Sequence, residues 1–95
     1  MADVISVIRL PNRFDFSHHK LFSQQIDEAF ARSDLNFLEV DFSQVQYLDS
    51  SALGMLVLLA KKASAQNVSV GIRGAQGTAL DIIMMANLNK LYSIK

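Results

Sequence analysis

Residues 40–60 read V-D-F-S-Q-V-Q-Y-L-D-S-S-A-L-G-M-L-V-L-L-A. The opening of this stretch closes an extended segment, F-L-E-V-D-F at residues 37–42. There Leu38, Val40 and Phe42 point one way and Glu39 and Asp41 the other. A short apolar connector follows at residues 45–48. Asp49-Ser50-Ser51 then stands directly before an apolar run. Asp and Ser at a helix start accept backbone N–H groups that the first turn leaves unpaired, so a helix is predicted from about residue 51 to 65. Its first half is apolar nearly all round, which predicts substantial burial. Lys61, Lys62 and Gln66 make its far end polar, and the lysines suit the negative end of the helix dipole. Asn67 is a stop signal.

Outward from this centre the pattern repeats. Residues 4–10, V-I-S-V-I-R-L, are rich in β-branched side chains and predict a strand. Pro11-Asn12 breaks it, and residues 13–16 extend it briefly. Ser17 is the expected N-cap of a first helix, with Lys20 where a capping box would need Glu or Gln. Phe22, Ile26, Ala29 and Phe30 form its apolar stripe, and it should end near Arg32. Beyond the central helix, Val68, Val70 and Ile72 alternate with Ser69, Gly71 and Arg73 as a third strand. Residues 74–77 read as a turn. Thr78 is the expected cap of a last helix carrying Leu80, Ile83, Met84 and Leu88, and residues 90–95 suit a short edge strand. Strands alternating with helices imply crossovers and a largely parallel core sheet.

Composition narrows the function classes. The chain has 95 residues, enough for one small domain over residues 1–95. Nine Lys and Arg balance nine Asp and Glu, without the basic excess of a nucleic-acid binder. With no Cys there is no disulfide scaffold, thiolate metal site or thiol nucleophile. No apolar run approaches the roughly 20 residues of a membrane span. The opening Met-Ala-Asp-Val has no basic region leading into an apolar core. The expectation is a cytoplasmic protein that neither inserts in a membrane nor binds nucleic acid.

Several chemical readings can be weighed on spacing. His18 and His19 are adjacent, so on a helix they point about 100° apart and cannot chelate as an i, i+4 pair; no metal is expected. No G-x-S-x-G elbow surrounds Ser50 or Ser51, and Asp41 with Asp49 reads as turn chemistry rather than an acid/base pair. The glycines at 71, 74 and 77 lack the spacing of a dinucleotide fingerprint. Ile82-Ile83-Met84-Met85 cannot all face one core, which makes Met84 and Met85 candidates for a partner surface. Leu53 and Met55, near Ser50, share that ambiguity. No cofactor and no enzymatic activity are expected.

The centre of the chain resembles the STAS domain, the sulphate transporter and anti-sigma factor antagonist family. The hallmark is a strand bearing an Asp, a short apolar turn, and Asp-Ser-Ser/Thr-Gly-Leu-Gly opening an apolar helix. Here Asp41, Tyr47-Leu48 and Asp49-Ser50-Ser51-Ala52-Leu53-Gly54 match it. The likeness extends from about residue 4 to 94, with R-F-D-F-S before the first helix resembling the family's end-of-strand segment. Ala52 replaces the usual Gly, and the chain has one clear strand where many members begin with a hairpin. The resemblance implies one α/β domain with a mixed sheet of about four strands and helices mainly on one face. In the antagonist branch, the first Ser of the pair is phosphorylated by a partner kinase that is also the anti-sigma factor. That role falls on Ser50, with Asp41, Asp49, Ser51, Ala52, Leu53 and Gly54 flanking it. The implied partners are a GHKL-type serine kinase and a PP2C-type phosphatase. The family also contains constitutive subunits of lipid ABC transport complexes and ligand-sensing domains.

The switch has a physical basis of its own. A phosphate at a helix start meets unpaired N–H groups and the positive end of the dipole. It adds roughly −1.5 to −2 charges. An interface packed on Ser50 would be lost while the fold stays intact.

Overall fold

A computed structural model describes residues 4–95 of the chain; the opening Met-Ala-Asp lies outside the described residues. In chain order the elements are β1 (Ile5–Arg9), β2 (Arg13–Phe14), α1 (His19–Phe30), β3 (Phe37–Asp41), β4 (Tyr47–Leu48), α2 (Ser50–Ala65), β5 (Ser69–Arg73), α3 (Gly77–Met85) and β6 (Ser93–Ile94). The main sheet has four strands in the order β1-β3-β5-β6, and β2 pairs with β4 in a second, two-stranded sheet. All of these pairings are parallel. The parallel core matches expectation, and the mixed pairing does not occur among the described residues.

The register explains why the helices lie on one face. Ile8, Val40, Ile72 and Ile94 form one row across the sheet, and Ser6, Leu38 and Val70 the next. Ile8, Leu38, Val40, Val70 and Ile72 are buried, together with Phe22, Ile26 and Ala29 of α1, Ala52, Leu56, Leu59 and Ala63 of α2, and Ala79 and Ile83 of α3. The opposite face carries Ile5, Val7, Arg9, Ser69 and Arg73, all exposed. A strand with one dry and one wet face alternates with period two, which is why the strands were legible. Each large apolar side chain taken into this core stabilises by roughly 1.5–3 kcal/mol.

The helix ends differ in detail from expectation. The turn before α1 is a 3-10 turn over Phe16–His18 capped by Asp15, whose carboxylate accepts from the Ser17 N–H at 3.0 Å. Ser17 is therefore not the cap, because Asp15 is the residue left in the extended conformation. α1 stops at Phe30, short of Arg32. α3 begins at Gly77 after Gln76, without a side-chain cap, so Thr78 lies inside it. α3 also ends at Met85, because Asn87 adopts the left-handed conformation (φ 59°). Leu88 still reaches the core, from a 3-10 turn. Asn67 likewise turns left-handed (φ 60°) and ends α2, with the Val68 N–H returning to the Ala63 carbonyl at 2.9 Å.

One long-range bond fastens the last segment to the middle of α2. The buried Tyr92 hydroxyl donates to the Leu56 carbonyl at 2.6 Å. Burial pushes the Tyr92 phenol well above its ordinary range. The folded state thus prefers the protonated phenol, so this contribution is present below the unfolded value of about 10 and lost as pH rises above it. Tyr92→Phe should lower stability by about 1 kcal/mol at neutral pH. The gap should close above about pH 10, as read by urea denaturation across the alkaline range.

Candidate functional site

The loops that leave the carboxyl ends of β1 and β3 are joined by the small β2–β4 ladder, formed by the brief extension expected within residues 13–16 and by part of the expected connector at residues 45–48. Arg13 pairs with Tyr47 and Phe14 with Leu48. Phe14 and Leu48 are buried, while the Arg13 guanidinium lies over the Tyr47 ring, 4.4 Å from its centre. The Asn12 carbonyl accepts from the Gln46 and Tyr47 N–H groups at 2.8 and 3.2 Å. Each short strand runs directly into an aspartate that caps the next helical turn. Asp15 follows β2 and Asp49 follows β4. The Asp15 carboxyl is held below its usual range, chiefly by the Ser17 hydroxyl and then by Arg13, whose Nε donates to it at 2.7 Å.

Asp49 is extended (φ −105°, ψ −178°), and its carboxylate accepts from the Ala52 N–H at 2.8 Å. The capping duty thus falls on Asp49. Ser50 is the first residue of α2 and is exposed, as is Ser51. Ala52 is fully buried, so the position where the family usually has Gly here packs a methyl group into the core. Leu53 is half-buried against the core, and Gly54 is exposed.

Met55 is largely buried in the core, and its remaining surface faces the groove between α1 and α2. The exposed apolar side chain of α2 is instead Leu58, at 66% exposure. Leu58 follows Ser50 and Gly54 at i+8 and i+4, so all three share one face. That spacing was the signal in the sequence, masked by an apolar run in which every position looked buried. Beside this face, His19, Phe22, Ser23, Ile26, Asp27, Met55, Leu58, Leu59 and Lys62 line a groove of about 160 Å³ between α1 and α2. Phe16, exposed, stacks on His19 with ring centres 5.5 Å apart.

Among the described residues no hydrogen bond joins Asp41 to Ser50. Asp41 ends β3 on the uncovered face of the sheet and is only 8% exposed. Its carboxylate accepts from the Ser43 N–H at 2.8 Å and lies 3.8 Å from Arg9 and 3.6 Å from Arg73. Among the described residues no hydrogen bond or ion pair joins it to Asp49. The Ser43 backbone and hydroxyl hold its carboxyl below the usual range, with smaller help from Arg73 and Arg9. The loop it anchors packs on Gly74, which is left-handed (φ 78°) and where a Cβ would sit 3.2 Å from Ser43 backbone atoms. Met84 and Met85 lie on α3, and Met85 is 82% exposed, while Ile83 turns into the core. The two histidines part as their spacing requires, His18 edge-on to Phe14 and His19 against Phe16.

A family model described as "Mlab, STAS domain" matches residues 1–93. The chain belongs to the STAS domain family. A STAS-domain containing protein of Pseudomonas aeruginosa is 33% identical over 87 residues, which are 92% of this chain and 84% of that protein. The Bacillus cell-fate determinant SpoIIAA, in its phosphorylated form, superposes with a TM-score of 0.72 at 16% identity, over 96% of this STAS domain and 82% of that chain. The STAS domain of a SulP transporter from Vibrio cholerae gives a TM-score of 0.79 at 14% identity, over 96% and 70%. The fold is therefore one that an anti-sigma factor antagonist and a transporter domain both use. No helix among the described residues is long and apolar enough to cross a membrane.

The Asp41 anchor has a pH signature. Because its folded-state carboxyl is depressed, its contribution is present above the unfolded value of about 3.9 and is lost as pH falls below it. Asp41→Asn should cost about 1 kcal/mol at pH 7. Thermal denaturation of variant and parent should converge below about pH 4.

Proposed function

We propose that this STAS domain is a phosphorylatable anti-sigma factor antagonist in a bacterial partner-switching pathway. The unmodified domain binds a GHKL-type serine kinase that is also the anti-sigma factor. A phosphate on Ser50 ends that binding, and a PP2C-type phosphatase restores it. The domain acts in the cytoplasm as a binding module, without catalysis or cofactor. The observation that carries this reading is the division of labour at the start of α2. Asp49 caps the helix through Ala52, so the exposed Ser50 hydroxyl is not needed to hold the fold.

The surroundings support the chemistry. The N–H groups of Ser50 and Ser51 stand at the positive end of a 16-residue helix. Arg13 lies within electrostatic reach of Asp49, and its own pKa is raised, chiefly by Asp15. A phosphate there would turn a nearly balanced patch strongly negative next to exposed apolar surface, and would expel a partner packed on it. A second reading, a STAS subunit or domain of a membrane transporter that needs no phosphate, is favoured by the likeness to the Vibrio cholerae SulP domain.

Intact-mass spectrometry with site localisation, on the protein from exponential and stationary cells, separates the two. The switch predicts a population with one phosphate on Ser50 whose fraction changes with condition. Absence of phosphate in every condition, with phosphatases blocked during lysis, would count against the switch and favour the constitutive-subunit reading instead. Ser50→Ala should keep the fold by circular dichroism and retain the kinase constitutively. Ser51→Ala should leave labelling largely intact; loss of labelling in that variant alone would move the modified site to Ser51.

A further inference from the structure

The main sheet ends in two edges that differ. β6 is only two residues long and is followed by Lys95. β1 has five residues and pairs with β3 alone among the described residues. Sheet edges are commonly blunted by shortness, proline, a bulge or lysine. Residues 5–9, I-S-V-I-R, have none of these. The direction of their backbone groups follows from the ladder. The Leu10 N–H donates to the Asp41 carbonyl at 3.1 Å, and the Val4 carbonyl accepts from the Phe37 N–H at 3.2 Å. In a parallel ladder every second residue bonds to a given neighbour. Ser6 and Ile8 therefore also bond to β3, and the N–H and C=O groups of Ile5, Val7 and Arg9 point out of the sheet.

The side chains around this edge leave it open. Ile5 and Val7 are 55% and 45% exposed on the uncovered face. On the other face α1 does not close over the strand. Ser6, Val7, Ile8, Gln25, Glu28 and Ala29 line a hollow of about 260 Å³ between them. The Gln25 Oε1 atom beside it is out of contact with solvent and has no hydrogen-bond partner among the described residues. Leu21, one turn earlier on the same row of α1, is exposed.

We propose that two copies of this chain pair antiparallel through β1, with the two-fold axis at Val7. Val7 then meets Val7 of the partner subunit, and their N–H and C=O groups exchange both hydrogen bonds. Ile5 of each copy meets Arg9 of the other, which saturates the remaining groups and keeps the two Arg9 guanidinium groups apart. The contact is isologous and closed, and the two main sheets continue as one. The register also selects the occupant. Gln25 shares its hollow with the axis residue, so a second copy brings a matching amide to the axis, and each amide N–H can serve the other copy's unpaired oxygen. A strand from an unrelated chain carries no such match. The surface around Ser50 takes no part, so the pairing is independent of the phosphorylation reading.

Sedimentation velocity of the full chain over a concentration series tests this. The expected result is a species of twice the 10.5 kDa chain mass that grows with concentration. Val7→Lys places like charges directly opposite each other and should weaken association roughly tenfold or more, with an unchanged circular dichroism spectrum. The chain has no Cys, so single cysteines report the register. Under mild oxidation Val7→Cys should crosslink to itself, since such paired Cα atoms lie about 5.5 Å apart, within disulfide reach. Ile5→Cys alone should not, because its two copies are offset by about 14 Å along the strands. Mixed with Arg9→Cys it should form the mixed disulfide. A monomer at every concentration overturns the proposal. So does association that Val7→Lys leaves unchanged, or crosslinking of Ile5→Cys to itself as efficient as that of Val7→Cys. If Val7→Lys fails to fold, the cysteine pattern decides.

Discussion

The bond from the Ala52 N–H to the Asp49 carboxylate sets the phase of α2, and the rest of the domain depends on that phase. A helix advances about 100° per residue. Starting α2 one residue later would swing Ala52, Leu56, Leu59 and Ala63 away from the sheet and turn Ser50, Gly54 and Leu58 toward it. Apolar residues surround this helix for most of its length, so hydrophobicity alone specifies the phase weakly. The cap supplies what the pattern does not. The β2–β4 ladder in turn holds Asp49 at the height where it can cap.

This arrangement lets one segment meet two demands. The buried side of α2 is the central slab of the core, contacting β5 and α1, and tolerates little change. Its exposed side carries small and polar residues at Ser50, Ser51 and Gly54 and an isolated apolar one at Leu58. Charge can therefore be added at Ser50 without disturbing the packing beneath. Asp41, although part of the same sequence signature, serves the other face of the sheet, where it fixes the loop after β3 against Arg9 and Arg73. The signature thus marks two tasks, anchoring a loop and presenting a hydroxyl.

Much of the fold was legible because a sheet covered on one side enforces period-two alternation, as in residues 68–73, and because α1 is amphipathic. The extended stretch at residues 13–16 was legible, but the pairing of β2 with β4 was not. Two-residue strands carry no period, and their pairing depends on loops far apart in the chain. Caps were misplaced at Ser17 and Thr78 because a cap is defined by which residue stays extended, and Asp15 and Gln76 do. At the start of α2, the Asp49-Ser50-Ser51 helix-start signal could be read from the sequence, and Asp49 supplies the cap. The exposure of Leu58 and the burial of Met55 could not, since both lie in a run where every residue is apolar.

The main sheet is ordered β1-β3-β5-β6, so each strand joins the one laid down before it. A ribosome would therefore release this domain in the order in which it can be assembled, with α1 made before β1 and β3 pair and α2 and α3 each following a strand pair just completed. No strand has to be inserted later between two already paired. The last addition is the short β6 edge, with Tyr92 closing onto α2. Growth from one edge to the other spares an all-parallel sheet, whose contacts are all distant in sequence, part of the delay that its topology would otherwise impose.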